Sequence, residues 1–483
     1  MPHVVLRAPE IFEMAFARIR RELDVPTGFP SAVLEQAEHA TVDIDDRHDA
    51  RDIPFVAIDP PGATDLDQTF AAEPLGSGYR VRYAIADVGA FITPGSALDE
   101  EARTRGLTLY SPDSRAPLHP PVISEDRASL LPGADKPALL WTIDLDETGA
   151  VVETDLRRAV VRSREAISYS EAQRRIDALS GDPSGSAIDH LDGIDRSLSL
   201  LATIGALRQH QEADRGGVSL NLPAQEVVRR DGHYELEFDE SLPVEGWNAQ
   251  ISLLTGMVAG QAMFDANLGV LRTLPPASEH DVEQLRRMAE VLGLHWPDDQ
   301  DYATFVRGLA PTSPTVNAFL LQCTRLFSGA GYVGFHGRTP SHPTHGAIAS
   351  VYAHVTAPLR RLIDRFGNEI VLALHEGREA PSWAVEALDQ LPSLMGRARQ
   401  RESSLERALL DMAEALTLEH HVGETFNAVV VDLHRRQARV QIAEPAVVAH
   451  IKGDEHRLGE VIKLMLSSVD VENRRVDFEP SPS

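Results

Sequence analysis

The chain has 483 residues, 43% of them apolar, which at about 150 residues per domain gives room for several domains with a large core and excludes a peptide or a fibre. Lys and Arg total 46 against 73 Asp and Glu, a formal charge of −27, so attraction of a polyanion by bulk charge is excluded and a nucleic-acid partner must be met by local basic features. Only Lys136, Lys452 and Lys463 are lysines; the other bases are arginines, suited to bidentate contacts where they cluster, though codon usage alone could produce the bias.

The start carries no apolar signal core, and no apolar run of membrane-spanning length occurs anywhere, so neither secretion nor a membrane anchor is expected. The spacing predicts a helix from Pro9 to Leu23, closed by Pro26 and Gly28, and a second after Pro30 with Ser31 as cap. The polar run TVDIDDRHDARD then marks a boundary near residue 50. From Ile53 to Ser168 the pattern is strand-like, with alternation over Tyr79 to Ala86, Leu139 to Leu145 and Val151 to Val161. Beyond it the chain reads as mainly helical. Ser170 with Gln173 forms a capping-box pattern, GDPSGS at 181–186 reads as an exposed loop, and Ser278 caps a helix ending at Gly293. Further helices fit 247–265, 358–375 and 399–418. The single cysteine, Cys323, falls in an apolar helical stretch; it excludes a disulfide framework and a Cys-rich zinc site, and favours a reducing cytoplasm. Short strands return at Phe426 to Asp432 and Ala438 to Ala443 around the basic turn Arg435-Arg436, a spacing that predicts a five-stranded barrel.

The stretch richest in chemistry is AIDPPGATDLDQTF, residues 57–70. Asp59 ends an apolar strand, and a Pro-Pro-Gly turn can fold it back towards Asp65 and Asp67. Three carboxylates brought together repel unless a cation neutralises them, and oxygen-only ligands suit Mg²⁺ or Mn²⁺. The bland reading is an acidic surface loop. A second reading, the DxDxT nucleophile loop of haloacid-dehalogenase-like phosphatases, fits Asp65 to Thr69 but lacks the buried strand directly before it, and no lysine lies between Lys136 and Lys452.

AIDPPGATDLDQTF, then YAIADVGAFITPGSALDEEARTRGLTLYSP, LHPPVISEDRASLLPG and HGAIASVYAHVTAPLRRLIDRFGNEIV follow one another in an order and spacing that resemble the RNB catalytic domain of the RNase II / RNase R family. The C-terminal stretch from Gly423 resembles the RNA-binding OB barrel that ends such enzymes. The resemblance implies an α+β protein: a small helical module, helix-turn-helix-like, over 1–50 in place of the family's cold-shock domains; an RNB domain with a mixed sheet wrapped by helices over 51–420; and an OB barrel over 421–483. It implies a cytoplasmic, monomeric, Mg²⁺- or Mn²⁺-dependent 3′→5′ exoribonuclease that takes RNA, single-stranded or with a 3′ overhang, and releases nucleoside 5′-monophosphates by a two-metal-ion mechanism. The alternative is an inactive RNA-binding protein on the same scaffold.

Residue by residue, the resemblance puts the metal-binding acids at Asp59, Asp65 and Asp67, with Asp67 and Arg360 as catalytic residues. Gln68 replaces the fourth acid of the family's DxDD ending. Arg360 and Arg361 belong to a TSPIRR-like segment, and a guanidinium there can offset charge on the phosphorane oxygens. Tyr110 matches the tyrosine that stacks on the terminal base, Tyr169 another channel tyrosine, and His345 an RNA-contacting position. Leu220 stands for a base-sandwiching aromatic and Ala249-Gln250 for an acidic pair, so a looser base clamp is expected.

Three other signals are given ordinary readings. GxGxxG at Gly329 to Gly334 lacks a strand before and a helix after it. His336, His342, His345 and His354 lie in a Pro-containing loop and not at zinc spacing. Arg397, Arg399, Arg401 and Arg407 share a helix with Glu402, Glu406 and Asp411, as on a solvated ion-paired face. With that much acid outside, RNA binding is expected to depend on an enclosed, arginine-lined path.

Overall fold

The structure, a computed structural model, describes residues 9–180, 191, 193–220, 224–230, 233–239, 241–309, 313–434, 437–452 and 456–481. The expected loop at 181–186 and the turn at Arg435-Arg436 lie outside the described residues. No described helix is long and apolar enough to cross a membrane.

A seven-stranded mixed sheet organises the site, in the order His48–Ala50, Val151–Val161, Lys136–Leu145, Gly78–Ala86, Gln68–Leu75, Val56–Ile58, Glu165–Ile167. The two outermost pairings are parallel and the inner ones antiparallel. Because side chains alternate across a strand, each central strand feeds two cores. Phe70, Val81, Tyr83, Ile85, Leu139 and Trp141 face the helices Gly193–Asp214, Pro243–Asp265 and Leu362–His375. Their neighbours Ala71, Ala84, Ala86, Ala138 and Leu140 face the layer holding Val33 and Ala37. The small residues on that side let loops approach the sheet closely.

The C-terminal strands run Val447–Lys452, Gln437–Ile442, Thr425–His434, Val461–Asp470, Arg475–Pro480, an OB-like barrel whose two outer strands come together to nearly close it. The barrel shares a core with the helix Leu391–Leu418 and with Phe12, Phe16 and Ile19 of the helix Pro9–Glu22. The second helix, Ser31–His39, instead buries Val33 and Ala37 in the sheet core. The two N-terminal helices therefore place their apolar faces in different cores, and His48–Ala50, at the expected boundary, is a strand of the main sheet.

Several local expectations shift. Ser31 is the first helical residue and Pro30 the cap, with no side-chain capping bond. Ser168, not Ser170, caps the helix Tyr169–Ser180, its hydroxyl accepting from the Glu171 amide at 3.2 Å. The helix expected from 358 begins at Leu362, because Arg361 is extended and bridges to Leu107. Helices expected from 247 and 399 start earlier, at Pro243 and Leu391; proline in a first turn lacks only an amide that would have had no partner. Two antiparallel pairings lie in the region read as helical: the hairpin Ala224–Arg230 with His233–Asp239, and the long-range pair Leu268–Thr273 with Gly331–His336. The latter strand occupies the GxGxxG stretch. A Cβ on Gly334 would lie 2.1 Å from the Leu388 carbonyl, so this glycine serves close packing.

Candidate active site

Asp59 follows the buried strand Val56–Ile58, and its amide donates to the Ile167 carbonyl at 3.2 Å. The chain turns at Pro60 to Ala63, with Gly62 at φ +80, and returns as an extended segment in which Asp65 and Asp67 share a side while Leu66 is buried opposite. Ser129 and Leu130 fix this segment: Leu66 donates to Ser129 Oγ at 2.9 Å, Ser129 Oγ donates to the Thr64 carbonyl at 2.7 Å, and Leu130 donates to the Leu66 carbonyl at 3.0 Å. The SLLPG stretch is thus a brace for the acidic segment.

Asp67 joins that segment to residues nearly three hundred positions on. Its Oδ1 accepts from the Leu359 amide at 2.7 Å, and its Oδ2 pairs with Arg360 Nε at 3.2 Å. Next to it, Gln68 Nε2 donates to the Thr356 carbonyl. The helix Leu362–His375 is buried from Leu362 to Ala373, and its polar residues complete the clamp. Asp364 accepts from the Ala357 amide and from Arg361, both at 2.7 Å, and Asn368 donates to the Val355 carbonyl at 3.0 Å. Residues 355–359 are thus held almost entirely by side chains, while Arg360 remains half exposed.

Tyr110 sits on a small hairpin, Leu109–Ser111 with Ser114–Ala116, brought to Arg360 by pairing of Gly106 to Thr108 with Arg360 to Leu362. Gly106, at φ +73, ends the preceding helix where a Cβ would meet Ala398 at 2.6 Å. The Tyr110 hydroxyl donates to Asp65 Oδ2 at 2.9 Å, and the residue as a whole is 46% exposed. From the second strand, Arg115 donates to Asp65 Oδ1 at 2.7 Å and pairs with Glu125 at 2.8 Å.

Arg360, Arg361 and Tyr110 line a cavity of about 210 Å³ together with Arg272, Tyr332 and Arg399. Arg272 is buried with its guanidinium 4.7 Å from the Tyr332 ring centre, and Tyr332 is bonded to His354 at 2.8 Å. Arg399 keeps the expected solvated, ion-paired character, its side chain 67% exposed and 3.6 Å from Glu402, and both residues also border this recess. His345 does not line it; its ring meets Tyr352 at a centre distance of 6.1 Å, and Tyr352 in turn meets His354 of the recess at 5.3 Å. Burial and Arg272 push His345 down to about 4, keeping it neutral. Tyr169 lines a separate cavity of about 700 Å³ with Glu212, Leu220, Ala249 and Gln250, although it feels the charge of Asp59.

Burial pushes the Asp59 carboxyl up to about 6, Arg360 opposing and Asp65 adding to the rise. Burial pushes Asp67 up to about 8, against the lowering effects of Arg360 and the Leu359 amide. Asp59 Oδ2 is buried with no hydrogen-bond partner, an arrangement that costs free energy unless a cation or donor meets it. These are hard oxygen donors of the kind a divalent cation takes. Asp59 fits such an ion with its unpartnered oxygen, and Asp67 would fit it by giving up Arg360 at Oδ2 while Oδ1 keeps the Leu359 amide. Both oxygens of Asp65 are engaged by the hairpin, and among the described residues no three His, Cys, Asp or Glu side chains are grouped closely enough to hold a metal. A three-aspartate set therefore requires Asp65 to exchange Arg115 and Tyr110 for the ion.

A family model described as the RNB domain matches residues 47–375, and one described as the RNase II-type exonuclease C-terminal S1 domain matches 424–481. The chain belongs to the RNB-domain family of RNase II and RNase R. This RNB protein is 27% identical over 433 residues to the exosome complex exonuclease dis3 of Schizosaccharomyces pombe, covering 84% of the chain but only 42% of that relative. It is 24% identical to Ribonuclease R of Aquifex aeolicus, covering 98% of the chain and 71% of the relative. Its fold matches Mycoplasma genitalium RNase R in complex with ribose-methylated single-stranded RNA, with a TM-score of 0.86 at 19% identity over 97% of this chain and 78% of the other. It also matches yeast Ssd1, titled a pseudonuclease, with a TM-score of 0.71 at 17% identity over 97% and 58%.

Sequence reading missed Arg115, Arg272, Tyr332 and Arg399 of the RNB site. Only Arg115, five residues after Tyr110 on a short hairpin, carried a local signal. The others converge from strands and a helix whose packing no local pattern specifies.

Proposed function

We propose that this RNB protein is a 3′→5′ exoribonuclease that hydrolyses single-stranded RNA, or RNA with a 3′ overhang, to nucleoside 5′-monophosphates. The observation that carries the reading is the convergence on Asp67 of the acidic segment and the Arg360 loop, beside an exposed tyrosine. In this reading Tyr110 stacks on the terminal base, as a sequence-tolerant π face, and holds it beside Asp65. Arg360 exchanges Asp67 for the scissile phosphate and offsets charge on its equatorial oxygens. Arg361 stays with Asp364 and orients the loop. Asp59, Asp67 and a released Asp65 would hold Mg²⁺ or Mn²⁺, which when bound lowers the pKa of a water and offsets charge on the leaving oxygen, as in two-ion hydrolysis. Tyr169 and His345 act further along the RNA path.

The same reading divides the chain into an N-terminal piece to residue 50, an RNB domain over 51–420 and a barrel over 421–483 that guides the strand, in a cytoplasmic monomer. The test is a 5′-labelled oligoribonucleotide with Mg²⁺, wild type beside Asp67→Asn. Stepwise shortening by the wild type alone is expected; binding without shortening overturns the enzyme reading, and equal shortening by both overturns the metal assignment. A second reading, RNA binding without catalysis, draws on one observation: Gln68 holds the Thr356 carbonyl with its Nε2 and has only a neutral amide oxygen, with no charge, to offer an ion.

A further inference from the structure

The helix Pro9–Glu22 lies outside the residues matched by either family model, yet it reaches the hairpin that carries Tyr110. That hairpin has three residues per strand, and an isolated ribbon of this size does not hold one pose in water. Besides the pairing of Gly106 to Thr108 with the Arg360 loop and packing on the helix Leu391–Leu418, two features tie it to the N-terminal helix. Leu109 and Ala116 are buried in the same core as Phe12, Phe16 and Ile19 of the helix. At the turn, Asp113 accepts from both terminal nitrogens of Arg20, the second bond at 2.8 Å, in a fork-to-fork pair whose side chains are 14% and 10% exposed.

The hairpin's other side-chain contacts go to the acidic segment and, through Arg115, to Glu125. Tyr110 and Arg115 each take one oxygen of Asp65, and Arg115 also donates to Thr64 Oγ1. Arg20 therefore grips one end of a ribbon whose other side chains grip Asp65. A ribbon this short transmits a shift at its turn directly to Tyr110, which precedes Asp113 by three residues, and to Arg115, which follows it by two.

We infer that Arg20 and Asp113 are positioning residues: the N-terminal helix is the back-stop that sets the pose of Tyr110 and Arg115 against Asp65. Its consequence for RNA rests on the exoribonuclease reading, in which this pose sets how deeply the 3′ end is held. Loss of the pair frees the hairpin, so the terminal base is held less firmly and the chain stops at longer, more varied end products.

The experiment uses the full chain with Arg20→Gln, Asp113→Asn, the double variant and the conservative Arg20→Lys, beside Arg18→Gln as a control on the same helix. Amide hydrogen exchange over residues 109–116 is measured without RNA, and end-product lengths, KM and kcat are measured on a labelled oligoribonucleotide. Exchange in 109–116 is expected to rise tenfold or more in each single variant and no further in the double, with partial recovery in Arg20→Lys and none of the effect in Arg18→Gln. End products are expected to lengthen by one or more nucleotides, with KM raised several-fold and kcat changed less. Wild-type exchange in the hairpin overturns the inference. So does faster exchange with unchanged end products and KM, which would make the pair merely structural. A wild type that never shortens RNA refutes the exoribonuclease reading instead, and the exchange measurement still decides whether Arg20 orders the hairpin.

Discussion

Gln68 follows Asp67 directly in the acidic segment, and its environment says what an acid at this position would do. Its Nε2 donates to the Thr356 carbonyl, whose residue is 5% exposed. Gln68→Asp removes the donor and strands a largely buried carbonyl, at a cost of about 1–3 kcal/mol. It also adds a carboxylate beside Asp67, where burial already pushes a carboxyl up to about 8; desolvation of the new group there raises the total to roughly 2–4 kcal/mol without metal. Gln68→Ala loses only the bond, roughly 1–3 kcal/mol. A divalent cation at one hundred times its Kd returns about 2.7 kcal/mol to a fold that binds it, and more to the Asp variant than to the Ala variant.

The measurement is native-state hydrogen exchange of residues 355–361 in EDTA and in Mg²⁺, a local probe that needs no two-state assumption for a chain of several domains. In EDTA the order of protection is expected to be wild type, then Gln68→Ala, then Gln68→Asp; in Mg²⁺ the Asp variant is expected to overtake the Ala variant. Equal protection of all three in EDTA would refute the claim that the Gln68 amide holds this loop. An Asp variant that gains no more from Mg²⁺ than the Ala variant would refute the placement of position 68 beside the ion.

Replacing Arg360 by Ala is expected to lower the single-turnover rate by 10²–10³, the loss of a transition-state donor worth about 3–4 kcal/mol, while Arg360→Lys, which keeps the charge without the planar fork, recovers part of it; a rate within threefold for the Ala variant contradicts the role. Tyr110→Ala removes a stacking face worth about 1–3 kcal/mol per base, so KM is expected to rise five-fold or more, whereas Tyr110→Phe keeps the ring and should hold KM within threefold. Similar KM values for the two variants would shift the role from the ring to the hydroxyl. At the junction of barrel and helix, burial pushes Glu414 up to about 7, with the Gln225 side chain and Val448 amide opposing. The folded state then holds this proton more tightly than the unfolded chain, so stability is fully present at acid pH and falls by roughly 3 kcal/mol as pH rises from about 4.5 to 7. Glu414→Gln keeps an acceptor for both donors without the charge, and denaturation midpoints at pH 5 and 8 are expected to differ less than in the wild type; an unchanged difference refutes the assignment.

Much of the local structure could be read directly. Alternation over Tyr79 to Ala86 and Val151 to Val161 places those strands within a residue of their ends, because burial of alternate side chains is the whole determinant of such a strand. The hairpin Ala224–Arg230 with His233–Asp239 was legible too, from alternating EVVRR and HYELEF around Asp231-Gly232, and was passed over for the helical pattern on either side. Helix starts at Ser168 and Pro243 were obscured because serines and prolines serve as well one or two positions away.

What the sequence by itself determined was the kind of residue at each place: acids spaced two apart around a leucine, paired arginines, and a tyrosine in the stretch GLTLYSP. Only the tertiary structure decided their partners. Asp67 meets Leu359 and Arg360, Gln68 meets Thr356, and Asp113 meets Arg20, all through contacts between segments distant in the chain. The physical reason is that an ion pair or a buried hydrogen bond forms with whichever complementary group the packed core delivers within about 3 Å, and local propensity carries no information about that delivery. The acid excess that opens the sequence is thus no guide to the site, where Arg115 and Arg360 hold the aspartates and Arg272, Arg360, Arg361 and Arg399 line the recess beside Tyr110.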